Sequence, residues 1–505
     1  MQIVSSRDLI LFEEIKNTFK GFFTQSGFTK FFFISFALYI LALFSLFRGD
    51  VYYVDDWGSS ISGTNWNHFS RFVSTFLYKI IGLSNHFVDL SPFIQIIAVA
   101  MLCLSAMVLI YLVRKKFDFW GIFIALPLGL NPYFLENLSY KFDSMMMAFS
   151  LMCCVLPFLF KNSNKLFVLF SVLFLVLMYS SYQASNGVYI VLGLFFGLYG
   201  YFYENKNIKE TMIFFLLLGI SFILASLIYK ELILVPIDWY VSSSMFPINE
   251  IWEGANKNLE KYLELLFLDL KKTTFFYLMI LTSIFFVLNF AICSPRKKIL
   301  AFIFGIIFFI VGLCLSYGAY LALQKPLFEP RAFIGFGAFC AILCIATFSF
   351  PKTKILFYPS AVFACLSAYS CIVFSLAYGN ALTKQQEYIN YRTQLIISDI
   401  ERVDKSDKKG AGIYYSGSIG FSRATYSFFY DYGQIARRLV IILMNGHWSW
   451  GYMPLYHFGA NFQGYGSPHC DLAQNKKRYK LLENSYHKIE KSKDHNCYFV
   501  TLKGD

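Results

Sequence analysis

The chain has 505 residues, of which 57% are hydrophobic, 20% aromatic and only 15% charged, with a formal net charge of +13. A soluble domain is about one quarter charged, and 59 Phe exceed what one aqueous core of this size buries, so a single soluble globule is excluded. The basic excess lies mostly in short Lys/Arg clusters between apolar runs, where it orients membrane spans, and nucleic acid is not an expected partner.

In chain order, residues 1–27 form a polar leader with Glu13, Glu14, Lys16 and Lys20, expected to make an amphipathic helix at the membrane interface. The first apolar run, Phe28 to Phe47, is too long for the core of a cleaved signal and is expected to persist as a span. Spans of about 20 apolar residues are expected next near 91–113, 117–135, 145–160, 166–183, 187–203, 211–229, 274–293, 299–318, 332–350 and 355–378. The total is about eleven. Alternate connections carry Arg114-Lys115-Lys116, Lys161 with Lys165, Lys206 with Lys209, Arg296-Lys297-Lys298, and Lys352 with Lys354. The positive-inside bias assigns these, and the N-terminus, to the cytoplasm.

The opposite connections are 48–90, 136–144, 184–186, 230–273, 319–331 and the tail. They hold most of the acidic residues, and loops presented by a rigid scaffold are where function concentrates. The expected fold is mainly α: a polytopic helix bundle over 1–379, then a small extracytoplasmic α/β domain over 380–505. In that domain Gly412–Tyr415, Arg438–Leu443 and Asn496–Leu502 read as strands, with a helix before the second. Of the eleven Cys, nine lie in or beside apolar runs as small hydrophobes. Cys470 and Cys497 lie in the tail, where an oxidising compartment would join them as a disulfide. Two free buried thiols are the alternative.

Four constellations carry candidate chemistry. The first is Asp55-Asp56, just beyond the first span. Adjacent carboxylates repel, which raises at least one pKa and suits a general base; a solvated turn is the plainer reading. In the same loop Arg71 offers a bidentate partner for phosphate, and Trp66 either stacks on a sugar or belongs to the interfacial aromatic belt. The second comprises Glu136, Lys141 and Asp143, ionisable groups at the membrane surface that either function or close a helix end as ion pairs. The third is Glu329 and Arg331, the arginine being suited to a lipid phosphate. The fourth is Gln183, whose amide could bond hydroxyls or simply sit in a turn. No phosphate-cradling glycine loop, Rossmann fingerprint or His-Glu-x-x-His helix is present.

The run Asp55-Asp56-Trp57-Gly58 with Ser62-Gly63, Trp66 and Arg71 resembles the first periplasmic loop of the Gtr-type, serotype-converting O-antigen glucosyltransferases. Asp89-Leu90-Ser91-Pro92, the run from Asn131-Pro132 through Leu135 to Ser144, and Ser181-Tyr182-Gln183-Ala184 extend the likeness over residues 1–190. The chain departs from that pattern at Ser59-Ser60 and at Ser70-Arg71-Phe72, where the family often has an Arg and Gly-Arg-Pro.

The resemblance implies a GT-C-like enzyme of the bacterial inner membrane. It would move glucose from undecaprenyl phosphate-glucose to a sugar of the O-antigen repeat on the periplasmic side; a direct displacement would invert the anomeric centre. It further implies a working link to a flippase and to a synthase of the donor lipid. On this reading Asp55 is the base and Asp56 the positioner, or the reverse; Arg71, Lys141 and Arg331 are candidates to receive the phosphate. A divalent cation bridging the acid pair is compatible with these residues but not required by them. The competing classes are a flippase or exporter, another envelope enzyme such as an O-antigen polymerase or a transferase of another lipid-linked sugar, and a membrane scaffold whose C-terminal domain binds a partner.

Overall fold

The computed structural model describes residues 6–63, 65–236, 244–406, 408, 410–446, 450–460, 462–464, 468–473 and 477–504. Among the described residues seven helices are long and apolar enough to cross a membrane: Phe28–Gly49, Phe93–Arg114, Gln183–Tyr203, Ile208–Leu232, Thr274–Ile292, Lys298–Leu315 and Lys354–Val403. Shorter apolar helices at Phe119–Leu130, Ser144–Phe160, Asn164–Tyr179 and Ile334–Ser349 occupy the remaining expected spans. Their outward faces stay apolar, as on Ile208–Leu232, where Leu216, Ile220, Ile223 and Leu227 are exposed. Such a surface is stable only against hydrocarbon.

The third expected span is broken into Phe119–Ala125, Pro127–Leu130 and Pro132–Ser139. Proline is tolerated in the first turn of a helix but not in its interior. Pro127 and Pro132 therefore each open a new piece, and the Asn131 side chain caps the last one by accepting from the Tyr133 and Phe134 N–H groups. This brings Glu136 and Asn137 into the protein interior on a short, reoriented helix.

The leader forms helix Ser6–Phe23. Its Phe22 packs against Tyr111, Phe28 and Phe117. In the first long connection, helix Phe72–Gly82 buries Ser74, Thr75 and Tyr78 and exposes Phe72, Phe76 and Ile80 at four-residue spacing. That outward stripe suits a helix lying in the membrane interface. Helix Ile251–Leu270 in the fourth connection likewise buries one stripe, Asn258, Tyr262, Leu266 and Asp269.

The basic connections meet at one end of the bundle. Lys161 pairs with Glu204, the Lys206 ammonium donates to the Lys161 carbonyl, and Arg296 donates to the carbonyls of Tyr201 and Lys206. The acidic connections meet at the other end.

The last apolar stretch does not stop at the membrane. Helix Lys354–Val403 runs for 50 residues, with Pro359 in its first turns, and its distal part buries Gln385, Ile389, Arg392, Ile396 and Asp399 against the tail. There a four-stranded sheet has the order β1-β4-β3-β2, with β1 Gly412–Gly417, β2 Arg478–Glu483, β3 His487–Ser492 and β4 Cys497–Leu502. β1 and β4 are parallel; the other pairs are antiparallel. Cys470 and Cys497 form a disulfide that fastens helix Pro468–Ala473 to β4.

The strand expected at Arg438–Leu443 is not formed. Arg438 lies in the last turn of helix Tyr426–Leu439, and 440–443 lies outside the sheet. A short apolar run buries equally well as a helix end or a strand, so periodicity alone does not separate them. Here an ion pair between Arg438 and Asp269 fixes the helical end.

Candidate active site

The first connection turns sharply after the span. Asp50 and Val54 both adopt left-handed backbone, at φ 46° and 42°. For a β-branched residue such as Val54 this is strained. The strain is held in place by Asp56, whose buried carboxylate staples two loops. One oxygen accepts from the N–H of Tyr53 at 2.9 Å, and both accept from the N–H of Lys141, at 3.1 and 3.0 Å. The N–H of Phe142 lies 3.4 Å from the other oxygen. Burial raises the Asp56 pKa while these N–H groups pull it down; with donors facing both oxygens, the ionised form fits the bonds.

Asp55 differs in every respect. It opens helix Asp56–Ser62, is exposed, and its carboxylate, unlike its carbonyl, which takes the Ser59 N–H at 2.9 Å, accepts no hydrogen bond among the described residues. It stands in a recess whose protein walls displace bulk water. Burial therefore raises its pKa, against the opposing charges of Arg331 and Arg71.

Those arginines come from distant connections. Arg331 sits in the turn Pro330–Ala332. Its backbone N–H reaches Glu136 Oε2 at 2.7 Å, while Nη1 reaches Glu136 Oε1 at 2.8 Å and the Tyr140 hydroxyl at 2.7 Å. The Arg331 carbonyl accepts from Asn137 at 3.1 Å. Arg71 lies over the Tyr182 ring, 4.7 Å from its centre, donates to Gln183 Oε1 at 3.4 Å and faces Asp143 at 4.0 Å. Gln183 is itself anchored on the Tyr229 hydroxyl at 2.8 Å. Burial pushes Asp143 up to about 7 against the pull of Arg71, with Asp55 adding to the rise.

Five of the expected residues thus converge with Asp55: Arg71, Glu136, Asp143, Gln183 and Arg331. Three others stand apart from the contacts that Arg71 and Arg331 make. The Lys141 ammonium is buried and held by Asp50 and by Asp89 at 3.3 Å, over the Tyr52 ring. Trp66 packs in a separate aromatic cluster with Tyr78 and Phe87. Glu329 is exposed beside the turn, and its charge is felt by Glu136 and Asp269.

Sequence reasoning passed over Tyr140 and Tyr182, and also Arg438, which braces the Arg331 loop by bonding the Phe328 carbonyl and Asp269. Only the spacing of Arg438 from a membrane loop could have flagged it, and chain order hides that. The tail also walls the site. Tyr53 donates to the Leu439 carbonyl at 3.0 Å, and Gly58 lies so close to Trp450 that a Cβ would stand 1.9 Å from its ring.

Among the described residues no group of three or more His, Cys, Asp or Glu is gathered to hold a metal ion. The acid pair does not fit a bridging cation, because both Asp56 oxygens are engaged by backbone N–H groups. Chemically, the site offers one open carboxylate of raised pKa beside two anchored guanidinium groups.

The profile of the family described as glucosyl transferase GtrII matches residues 43–342. The chain belongs to the GtrII glucosyltransferase family. The matched segment contains Asp55, Arg71, Glu136, Asp143, Gln183 and Arg331, and stops before helix Lys354–Val403. A relative from Salmonella phage P22, described as an uncharacterized 55.3 kDa protein in the gtrB 5′ region, is 24% identical over 459 residues, covering 85% of this chain and 90% of its own. No solved structure matches. A GtrII protein is a glucosyltransferase, and the apolar helices make this one a membrane protein.

Proposed function

We propose that this GtrII protein transfers glucose from undecaprenyl phosphate-glucose to a sugar of the O-antigen repeat, on the periplasmic face of the bacterial inner membrane. The observation that carries the reading is the Asp55 carboxylate: open, unbonded, raised in pKa, and flanked by Arg71 and Arg331. The reading of sidedness is supported by the basic connections at the opposite end, which the positive-inside bias favours in the cytoplasm with the N-terminus, the tail then lying outside.

In the reaction, Asp55 takes the proton of the acceptor hydroxyl. The hydroxyl oxygen attacks the anomeric carbon, the bond from that carbon to the phosphate oxygen breaks, and the lipid phosphate leaves with the electron pair. One displacement inverts the anomeric centre. Arg331 and Arg71 stabilise the charge that develops on the leaving phosphate, a contribution that grows where water is excluded. Asp56 holds the turn that aims Asp55. A lipid-borne donor explains why the carboxylate sits at the membrane surface, and it requires a synthase and a flippase upstream.

The test is expression, with a supply of the donor lipid, in a strain whose O-antigen repeat is defined, followed by NMR of the polysaccharide. A new glucosyl branch is expected. An unchanged repeat, with the protein confirmed in the membrane, overturns the reading.

A further inference from the structure

A second recess lies away from Asp55, between the start of helix Thr274–Ile292 and helix Tyr426–Leu439. It has a volume of about 840 Å³ and is lined by Lys271, Lys272 and Arg437, with one carboxylate, Asp431, and tyrosines including Tyr277 and Tyr430. Several other cations near the bundle ends are matched by carboxylates. Lys141 faces Asp50 and Asp89, Arg331 faces Glu136, Arg438 faces Asp269 and Lys161 faces Glu204. Lys271, Lys272 and Arg437 have no carboxylate within salt-bridge distance among the described residues. Three cations against the single carboxylate of Asp431 leave the recess with an excess of positive charge, which favours an anion.

The recess is shaped rather than incidental. Helix Tyr426–Leu439 kinks at Gly433, which has φ 62° and ψ −129°, a region closed to other residues. The Lys272 stem lies in that kink, where a Cβ on Gly433 would stand 3.1 Å from it. Arg437 is held 5.0 Å over the Phe429 ring, which fixes its guanidinium without neutralising it.

The recess also meets the lipid-facing surface. Tyr277, in the first turn of the span, donates to the Lys271 carbonyl at 2.9 Å. Below it Ile280, Ile284 and Leu288 are exposed along the same side of the helix. A headgroup in the recess could thus continue into a tail along that stripe, which a soluble anion would not use.

We propose that the phosphate headgroup of a membrane lipid docks here, its charge met by Lys271, Lys272 and Arg437, its polar rim against Tyr277 and Tyr430 and its chain along Ile280, Ile284 and Leu288. This site is independent of the transfer reaction read above. Each basic residue at a membrane surface strengthens binding of anionic lipid about fivefold, so removing three should cost on the order of a hundredfold.

The test uses the full chain in nanodiscs of phosphatidylglycerol and phosphatidylethanolamine, with retained lipid read by native mass spectrometry. Wild type should keep the anionic lipid selectively. Lys271→Gln/Lys272→Gln/Arg437→Gln should lose that selectivity while its melting curve stays that of wild type, and Gly433→Val, which displaces Lys272, should weaken it. Should the triple variant fail to fold, Arg437→Gln alone is read instead, with a fivefold loss expected. Equal retention by wild type and folded variant, no preference between the two lipids, or displacement of the lipid by millimolar inorganic phosphate overturns the proposal.

Discussion

Replacing Asp55 and Asp56 singly by Asn tests the proposed division into base and positioner, because the two carboxylates have opposite surroundings. The Asp56 oxygens face the N–H groups of Tyr53, Lys141 and Phe142. An amide in either orientation sets an NH₂ against one of these donors and shortens the set of acceptors. A hydrogen bond to a charged, buried group contributes about 1.5–3 kcal/mol, so Asp56→Asn should cost about 3 kcal/mol once the weakest contact is sacrificed. Asp55 accepts no such bond among the described residues and is exposed. Asp55→Asn should therefore stay within about 0.5 kcal/mol of wild type, while transfer falls by about 10²–10⁴-fold through loss of the base. The assay pairs thermal unfolding of the detergent-solubilised protein with glucosylation of a defined O-antigen. An Asp55→Asn protein that transfers within tenfold of wild type, or an Asp56→Asn protein that melts with wild type, refutes the division of roles.

Further outcomes are expected. Asp143 is raised to about 7, so the folded state holds its proton where the unfolded chain, with a pKa near 3.9, has lost it. Its contribution to stability is full below about pH 4 and is lost as pH rises through about 7. Asp143→Asn should remove up to about 1.4 kcal/mol per pH unit of that slope, read from denaturation midpoints across the window; an unchanged slope contradicts the assignment. Arg331→Lys keeps charge but cannot reproduce the paired bonds to Glu136 and Tyr140. It should lower transfer with the protein still in the membrane, and full activity would show that charge alone suffices. Asp269→Asn leaves Arg438 unpaired at a cost of about 3–5 kcal/mol, whereas Asp269→Leu with Arg438→Met should recover much of the loss in a melting assay. Opening the disulfide, whose cysteines are 27 residues apart, should cost about 3 kcal/mol. Alkylation without reductant, read by mass spectrometry, should leave Cys470 and Cys497 unlabelled.

The helical bundle was legible because hydrocarbon imposes a simple demand. Twenty apolar residues are visible in the chain wherever they pack; among the described residues seven of the expected spans are helices long enough to cross, and the other four are shorter or broken helices. The strands at Gly412–Gly417 and Cys497–Leu502 were visible for a related reason: both are short buried runs bounded by polar turns. Arg438 was misplaced in a strand because its partner, Asp269, lies 169 positions away and leaves no mark on local periodicity.

For the site, the sequence alone determined which residues were unusual: acids, arginines and amides at the membrane surface, where desolvation makes them costly unless they pair or act. Only tertiary structure decided which of them meet. The breaks at Pro127 and Pro132 turn Glu136 towards Arg331. Lys141, chemically as apt as Arg331 for a phosphate, is held by Asp50 and Asp89. Asp55 and Asp56, identical in type and adjacent in the chain, differ because one faces backbone N–H groups and the other an open recess. Residue type sets what a side chain can donate or accept; the partners within reach set what it is left to do.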